Sequence, residues 1–267
     1  MSESNSTYEC EVLDVEIEDY VCTVTLDRPE AMNSMNGELV DHLWHTFHSL
    51  RHDDDVRVVI LTGAGEKAFC AGADLKERRQ MSEAETRQRI DDYRGAFGAV
   101  DKLPKPTICA INGYAFGGGL EMALACDIRL VAEETKVGLT ETKLGIIPGA
   151  GGTQRLPRLV GASKAKELIF TGRRLTGSRA AEIGLATRAL PVDDLLDEAR
   201  ALADEMTDSA PIAVEQAKRA IDAGMQCDLE TGLEIESRAY MVTLPTEDRQ
   251  EGLEAFRDKR EPEFEGR

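Results

Sequence analysis

The chain has 267 residues, of which 42% are hydrophobic and only 5% aromatic, enough for a sizeable core built mainly from aliphatic and Ala side chains. Asp and Glu number 50 against 32 Lys and Arg, and only ten of those cations are lysines. The net charge of −18 repels phosphate backbones and anionic lipid, which argues against nucleic acid or membrane partners.

The acidic excess is spread along the chain and forms no tail, a pattern that suits a surface kept soluble in concentrated, charge-screening salt. Cys10, Cys22, Cys70, Cys109, Cys126 and Cys227 are scattered, with no C-x-x-C pair. They read as small buried side chains in a reducing compartment. The first ten residues are polar and lack the apolar stretch of a signal peptide, and no apolar run reaches the ~18 residues of a membrane span. The expected address is the cytoplasm.

Residues 1–7 read as a frayed tail. Alternating apolar residues predict a hairpin from Cys10–Ile17 and Val21–Leu26 around Glu18-Asp19, and Arg28-Pro29 breaks the pattern. Asn36 is a candidate N-cap for an amphipathic helix to about Arg51. Val56–Leu61 predicts a buried strand leading into a loop, Thr62–Ala73. Ser82 with Glu85 forms a candidate capping box for a helix to about Asp101. Thr107–Ile111 is a second buried strand, closed by Asn112-Gly113. Gly117-Gly118-Gly119 then opens the helical stretch Leu120–Ala125, and Asp127–Ala132 is a further strand. After Gly149 the strand signals stop, and helical patterns follow, among them Leu195–Met206, Pro211–Ala223 and Asp228–Leu244. Alternating strands and helices predict a parallel α/β core over residues 1–190, followed by a helical region over 191–267. No internal repeat is visible.

Three stretches carry candidate chemistry. In Asn112–Glu121, a glycine triplet at a strand-to-helix turn exposes backbone amides at a helix N-terminus, which suits a phosphate or an oxyanion. The spacing fits neither a dinucleotide fingerprint nor a P-loop. In Phe69–Lys76, a small-residue loop after a strand can present amides in the same way, or serve as a plain connection. In Gly138–Arg155, Glu141 stands among apolar neighbours ahead of a glycine-rich turn. If buried, its pKa rises as a general acid requires; otherwise it is an ordinary exposed glutamate.

Taken in order with Leu26-Asp27-Arg28-Pro29 and the C-terminal Pro245–Arg260, these stretches resemble the crotonase superfamily, also called the enoyl-CoA hydratase/isomerase family, over nearly the whole chain. Phe69–Arg78, Gly138–Pro157 and the C-terminal stretch look closest to 3-methylglutaconyl-CoA hydratases. The resemblance implies a ββα superhelix, or spiral, with a C-terminal helical trimerisation region, assembled as trimers that pair into hexamers. It implies an oxyanion hole from the amides of Ala73 and Gly118, and Glu121 and Glu141 as the catalytic pair. Both glutamates favour hydration, since other branches commonly lack one. Glu121 would take a proton from water attacking C3 and Glu141 would supply one to C2, or the roles could be reversed or concerted. No metal or redox cofactor is needed for that chemistry; coenzyme A is part of the substrate.

The same resemblance places Ala31, Lys67, Ala71, Asp74, Leu75, Lys76, Gly117, Pro148 and Gly149 along the acyl-CoA, with Phe256 and Lys259 reaching in from a neighbouring subunit. Glu30 stands where the family often has a basic residue. The lysine-rich helix through which some such hydratases are reported to bind RNA matches Gly37–Arg51, which has no lysine. His42, His45, His48 and His52 share one side of that helix and read as a solvated polar face.

Overall fold

The computed structural model describes residues 10–267, so the expected frayed tail at residues 1–7 lies outside the described residues. β1 (Leu13–Glu18) and β2 (Val21–Leu26) pair antiparallel. Their turn falls one residue later than the sequence suggests: Asp19 and Tyr20 both have positive φ, 47° and 65°, the conformation that matches hairpin twist. α1 (Gly37–Leu50) starts where Asn36 accepts a hydrogen bond from the Leu39 amide, and it buries the Leu39, Leu43, Phe47 and Leu50 stripe.

From there the chain winds in repeated units. β3 (Val58–Gly63), β5 (Thr107–Ile111) and β7 (Ile128–Ala132) are the long strands. Each leads within a few residues into a short one: β4 (Ala68–Cys70), β6 (Tyr114–Phe116) and β8 (Lys136–Gly138). The long strands join a six-stranded sheet ordered β1-β2-β3-β5-β7-β10, the last being Arg188–Leu190. The short ones join a four-stranded sheet ordered β4-β6-β8-β9, with β9 at Leu175–Thr176. Helical segments follow each pair. After β4 come α2 (Leu75–Arg78) and α3 (Glu83–Asp101), the latter with the Ser82–Glu85 capping box formed in both directions. After β6 comes α4 (Gly118–Ala123), and after β8 a 3-10 turn, Glu141–Leu144.

The predicted α/β class, the recurring ββα unit that the resemblance implies and the long elements agree with this architecture, and two expectations are corrected. The loop Thr62–Ala73 contains β4, and strand structure does not stop at Gly149. β4, β9 and β10 have only two or three residues each, too few for an alternating pattern, and exist through long-range pairing. The recurrence leaves no sequence period because its helices differ so much: 19 residues in α3 against six in α4.

One face of the large sheet, with Val21, Val58, Ile60, Ile108 and Leu130, is covered by Leu195, Ala199 and Ala203 of α8 (Leu195–Thr207). α1, α3 and α4 cover the other face in a larger apolar cluster. α5 (Gly152–Val160), α6 (Ala162–Thr171) and α7 (Gly177–Glu182) complete the core. α9 (Pro211–Gly224) and α10 (Leu229–Thr243) form a hairpin that buries almost nothing of its own: no side chain of α9 and only Ala239 of α10. After α11 (Glu247–Asp258) the C-terminal tail folds back, and buried Asp248 accepts hydrogen bonds from the amides of Glu265 and Gly266. Among the described residues no helix is long and apolar enough to cross a membrane.

Candidate active site

Three connections meet at a cleft of about 920 Å³: the β4–α2 loop, the β6–α4 turn and the segment after β8. Each follows a short strand of the four-stranded sheet, so the side-by-side pairing of those strands brings residues 71–76, 117–121 and 140–150 together.

Three glycines shape the first two connections. Gly72 has φ +98°, and a Cβ there would lie 2.8 Å from the Phe116 carbonyl oxygen. Gly117 has φ +53° and Gly119 sits against Cys70, where a Cβ would fall 2.1 Å from the carbonyl oxygen. Side chains at these points would force the loops apart. Their close approach sets the amides of Ala73 and Gly118 side by side: the Cβ position of Gly118 is 4.0 Å from the Ala73 nitrogen, and that of Gly72 is 3.6 Å from the Gly118 nitrogen. Among the described residues neither amide donates a hydrogen bond to the protein, although the backbone around Ala73 is pinned by Met35 N to Gly72 O and Asp74 N to Met35 O. Two converging free amides in a cleft form a geometry that stabilises an oxyanion.

Glu121 projects from α4 and is 3% exposed. Its Oε1 accepts hydrogen bonds from the amides of Ala150 (2.9 Å) and Gly152 (2.8 Å), in the turn that opens α5. Its pKa is raised on balance, by burial, although those amides and the more distant charge of Arg155 offset part of the rise. Gly152 is part of the fit, because a Cβ there would be 3.0 Å from Oε1.

Glu141 opens the 3-10 turn and is 8% exposed, so of the two readings of this residue the buried one holds. Both carboxyl oxygens are buried and without hydrogen-bond partners among the described residues. Its pKa is pushed up to about 7, chiefly by burial and further by the charge of Glu121, against smaller opposing pulls from its own backbone amide and from Arg78. Glu141 Oε1 lies 3.4 Å from the Cβ position of Gly117, next to the free amide of Gly118. The cleft thus holds one carboxyl that accepts hydrogen bonds from two amides, and one whose oxygens have no hydrogen-bond partner among the described residues.

The other expected contact residues divide. Ala31, Ala71, Asp74, Leu75, Lys76, Gly117 and Gly149 line the cleft. The Asp74 carboxylate is occupied in holding the site: it caps α2 through the amides of Lys76 and Glu77 and pairs with Arg28 at 3.3 Å. Pro148 lines a separate groove against α9, and Lys67, Phe256 and Lys259 do not line the cleft of the single chain. Phe256 is 86% exposed. Sequence reasoning passed over Arg78, Lys143 and Arg174, which line the cleft; the Arg174 guanidinium lies 4.3 Å above the Phe116 ring. Arg174 has no local signal, since it reaches the cleft from beyond α6.

Outside the cleft, Trp44 stacks on His48 at 5.0 Å in the histidine-bearing α1. Among the described residues no group of three or more His, Cys, Asp or Glu side chains gathers as a metal site. Burial pushes the Cys22 and Cys70 thiols up to about 12, which removes them as nucleophiles.

The chain is similar to known proteins over nearly its whole length. The family model for enoyl-CoA hydratase/isomerase matches residues 16–267. The Bacillus subtilis protein YngF is 50% identical over 248 residues, 93% of this chain and 95% of that one. The human mitochondrial methylglutaconyl-CoA hydratase is 46% identical over 250 residues, covering 92% and 74% of the two chains. A crystal structure of enoyl-CoA hydratase from Bacillus anthracis superposes with a TM-score of 0.94 at 48% identity, covering 96% of this chain and all of that one. The two sheets with C-terminal helices are the mixed α/β crotonase fold, and the chain belongs to the enoyl-CoA hydratase/isomerase family.

Proposed function

We propose that this chain is an enoyl-CoA hydratase that adds water reversibly, in syn fashion, to a trans-2-enoyl-CoA. The observation that carries this reading is the contrast between the two carboxyls that share the cleft with a pair of free amides. The thioester oxygen accepts hydrogen bonds from the amides of Ala73 and Gly118, which draws electrons from C3 and stabilises the enolate-like charge as it forms. A water held between the glutamates attacks C3 and gives its proton to the Glu121 carboxylate, while the Glu141 carboxyl delivers a proton to C2. Such a division needs one carboxyl charged and the other neutral at working pH; burial raises both pKa values, and the amides of Ala150 and Gly152 offset part of that rise at Glu121. Dehydration is the same path reversed.

Lys76, Lys143 and Arg174 line the cleft and supply the positive charge that the phosphates of coenzyme A would need. Phe256 and Lys259 belong to the same site if α11 of a neighbouring subunit covers it. Ile221, Met225, Leu229, Leu233, Tyr240 and Met241 on the α9–α10 hairpin are exposed in the single chain, which supports a trimer or a pair of trimers assembled through residues 191–267. A cytoplasmic address and adaptation to high salt fit the composition.

Loss of the conjugated-thioester ultraviolet absorbance on mixing with crotonyl-CoA in molar potassium chloride tests the reaction. Rapid loss is expected; folded protein that leaves crotonyl-CoA and longer enoyl-CoAs unchanged would sink the hydratase reading.

A further inference from the structure

One of the two free amides hangs on a loop. Ala73 lies between β4 and α2, and its only ladder contact is an isolated bridge to Met35, in the segment Arg28–Met35 that runs beside it. Three backbone hydrogen bonds join segment and loop: Ala71 N to Met32 O (3.0 Å), Met35 N to Gly72 O (2.8 Å) and Asp74 N to Met35 O (2.9 Å). They tie the residues on both sides of Ala73 and spare its own amide. The same segment reaches the second amide, because the Cβ position of Gly118 is 2.7 Å from Met35 Cε. Arg28–Met35 is thus a splint that spaces Ala73 from Gly118.

The splint needs an anchor. Met32 and Asn33 both hold left-handed backbone, φ 53° and 51°, an unfavourable conformation for residues other than glycine, though Asn tolerates it best. Asn33 is fully buried and does not line the cleft. Its amide nitrogen donates to Arg28 O and its Oδ1 accepts from Arg28 N, both at 2.9 Å, which closes the turn 28–33 in both directions. Its Nδ2 donates to the carbonyl oxygens of Ala64 (2.9 Å) and Ala68 (2.8 Å), on either side of the β3–β4 connection. Gly63 leaves room for that group, since a Cβ there would lie 2.8 Å from Nδ2. A buried amide so fully matched is a stiff joint, because breaking any one bond strands a polar group.

We propose that Asn33 is a positioning residue of the oxyanion hole. It touches no reacting atom, and by locking the splint to β3 and β4 it fixes how the amides of Ala73 and Gly118 converge on the thioester oxygen. This rests on the reading of those two amides as the thioester site.

The test reads carbonyl polarisation directly, without turnover. The ¹³C resonance of [1-¹³C]butyryl-CoA, an unreactive saturated thioester, should move downfield on binding to the wild type. Asn33→Gly keeps the left-handed backbone and deletes the side-chain bonds to Arg28, Ala64 and Ala68. In that variant the bound resonance should return toward its free position while affinity for butyryl-CoA changes little. The kcat for crotonyl-CoA should fall about 10 to 100-fold with KM nearly kept, the signature of a misplaced transition-state contact. Asn33→Asp, which keeps the volume and the Arg28 contact but loses the Nδ2 donors, should fall between and guards against a Gly variant that does not fold. Thr62→Val removes another buried hydrogen bond of β3, to Ala110 O, and should leave the resonance in place even where it lowers the melting temperature. A bound resonance unmoved in both folded Asn33 variants would overturn the proposal, as would an equal displacement in Thr62→Val. Hydration of crotonyl-CoA by the wild type reports separately on the hydratase reading, so failure of one is distinguishable from failure of the other.

Discussion

The two carboxyls of the cleft are chemically identical and nearly equally buried, yet the chain around them treats them differently. Glu121 sits on α4 under the α5 turn, where the amides of Ala150 and Gly152 point at one oxygen. Glu141 heads a 3-10 turn, and among the described residues its two buried oxygens have no hydrogen-bond partner. The same loss of water therefore leaves an anion tolerable at one position and unwelcome at the other. Burial alone does not assign a proton; the backbone donors that accompany burial do. Removing or altering either neighbourhood tests that difference.

The largest effect is expected from the carboxyls themselves. Glu141→Gln and Glu121→Gln should each lower kcat for crotonyl-CoA by roughly 10² to 10⁴, the range of general acid–base catalysis. Loss of less than tenfold in Glu141→Gln, in single-turnover kinetics, would remove that residue from proton transfer. A smaller loss, about 10 to 100-fold, is expected for Gly152→Ala, because misplacing a catalytic group costs less than deleting it. The added methyl would crowd Glu121 Oε1, Leu139 and Pro148 without touching Glu141. The fall of kcat/KM with rising pH should therefore keep its midpoint in that variant; a moved midpoint would mean that the upper limb does not belong to Glu141.

That limb has a defined sign. Glu141 has its pKa raised from 4.5 to about 7, so its proton is lost as pH rises through about 7, and hydration should decline there. Stability follows the same linkage. Below pH 4.5 the carboxyl is protonated in both folded and unfolded chains and has no effect. As pH rises from 4.5 to about 7 the unfolded chain ionises first, which progressively favours unfolding. Glu141→Gln should thus be more stable than the wild type at pH 8, by on the order of 2 kcal/mol after allowance for partial exposure, and equal to it at pH 4. Thermal melts at the two pH values check this; a variant that gains nothing at pH 8 would mean that Glu141 is not strained in the native state.

Much of this was legible in the sequence where a residue acts locally. The Asn36 cap, the Ser82–Glu85 box, the buried run Thr107–Ile111 and the glycine triplet each carry their own signal, and the order of motifs pointed to the family and to both glutamates. The short strands β4, β6, β8 and β9 were not legible, although their pairing is what assembles the cleft. Nor was the cradle of Glu121, since Ala150 and Gly152 contribute only backbone amides some thirty residues away in sequence. Arg78 escaped for a related reason. Beside Glu77 and within an acidic chain it carries no signal of its own, and only the fold brings it to the wall of the cleft.

The central claim is that Glu121 carries the charge and Glu141 the proton. Carboxyl ¹³C NMR titration of glutamate-labelled wild type, Glu121→Gln and Glu141→Gln tests it most directly. The account predicts that the resonance missing in Glu141→Gln titrates near pH 7 in the wild type and moves to lower pH in Glu121→Gln, where the neighbouring charge is gone. If the resonance missing in Glu121→Gln is instead the one that titrates near pH 7, the roles are reversed and the account is wrong.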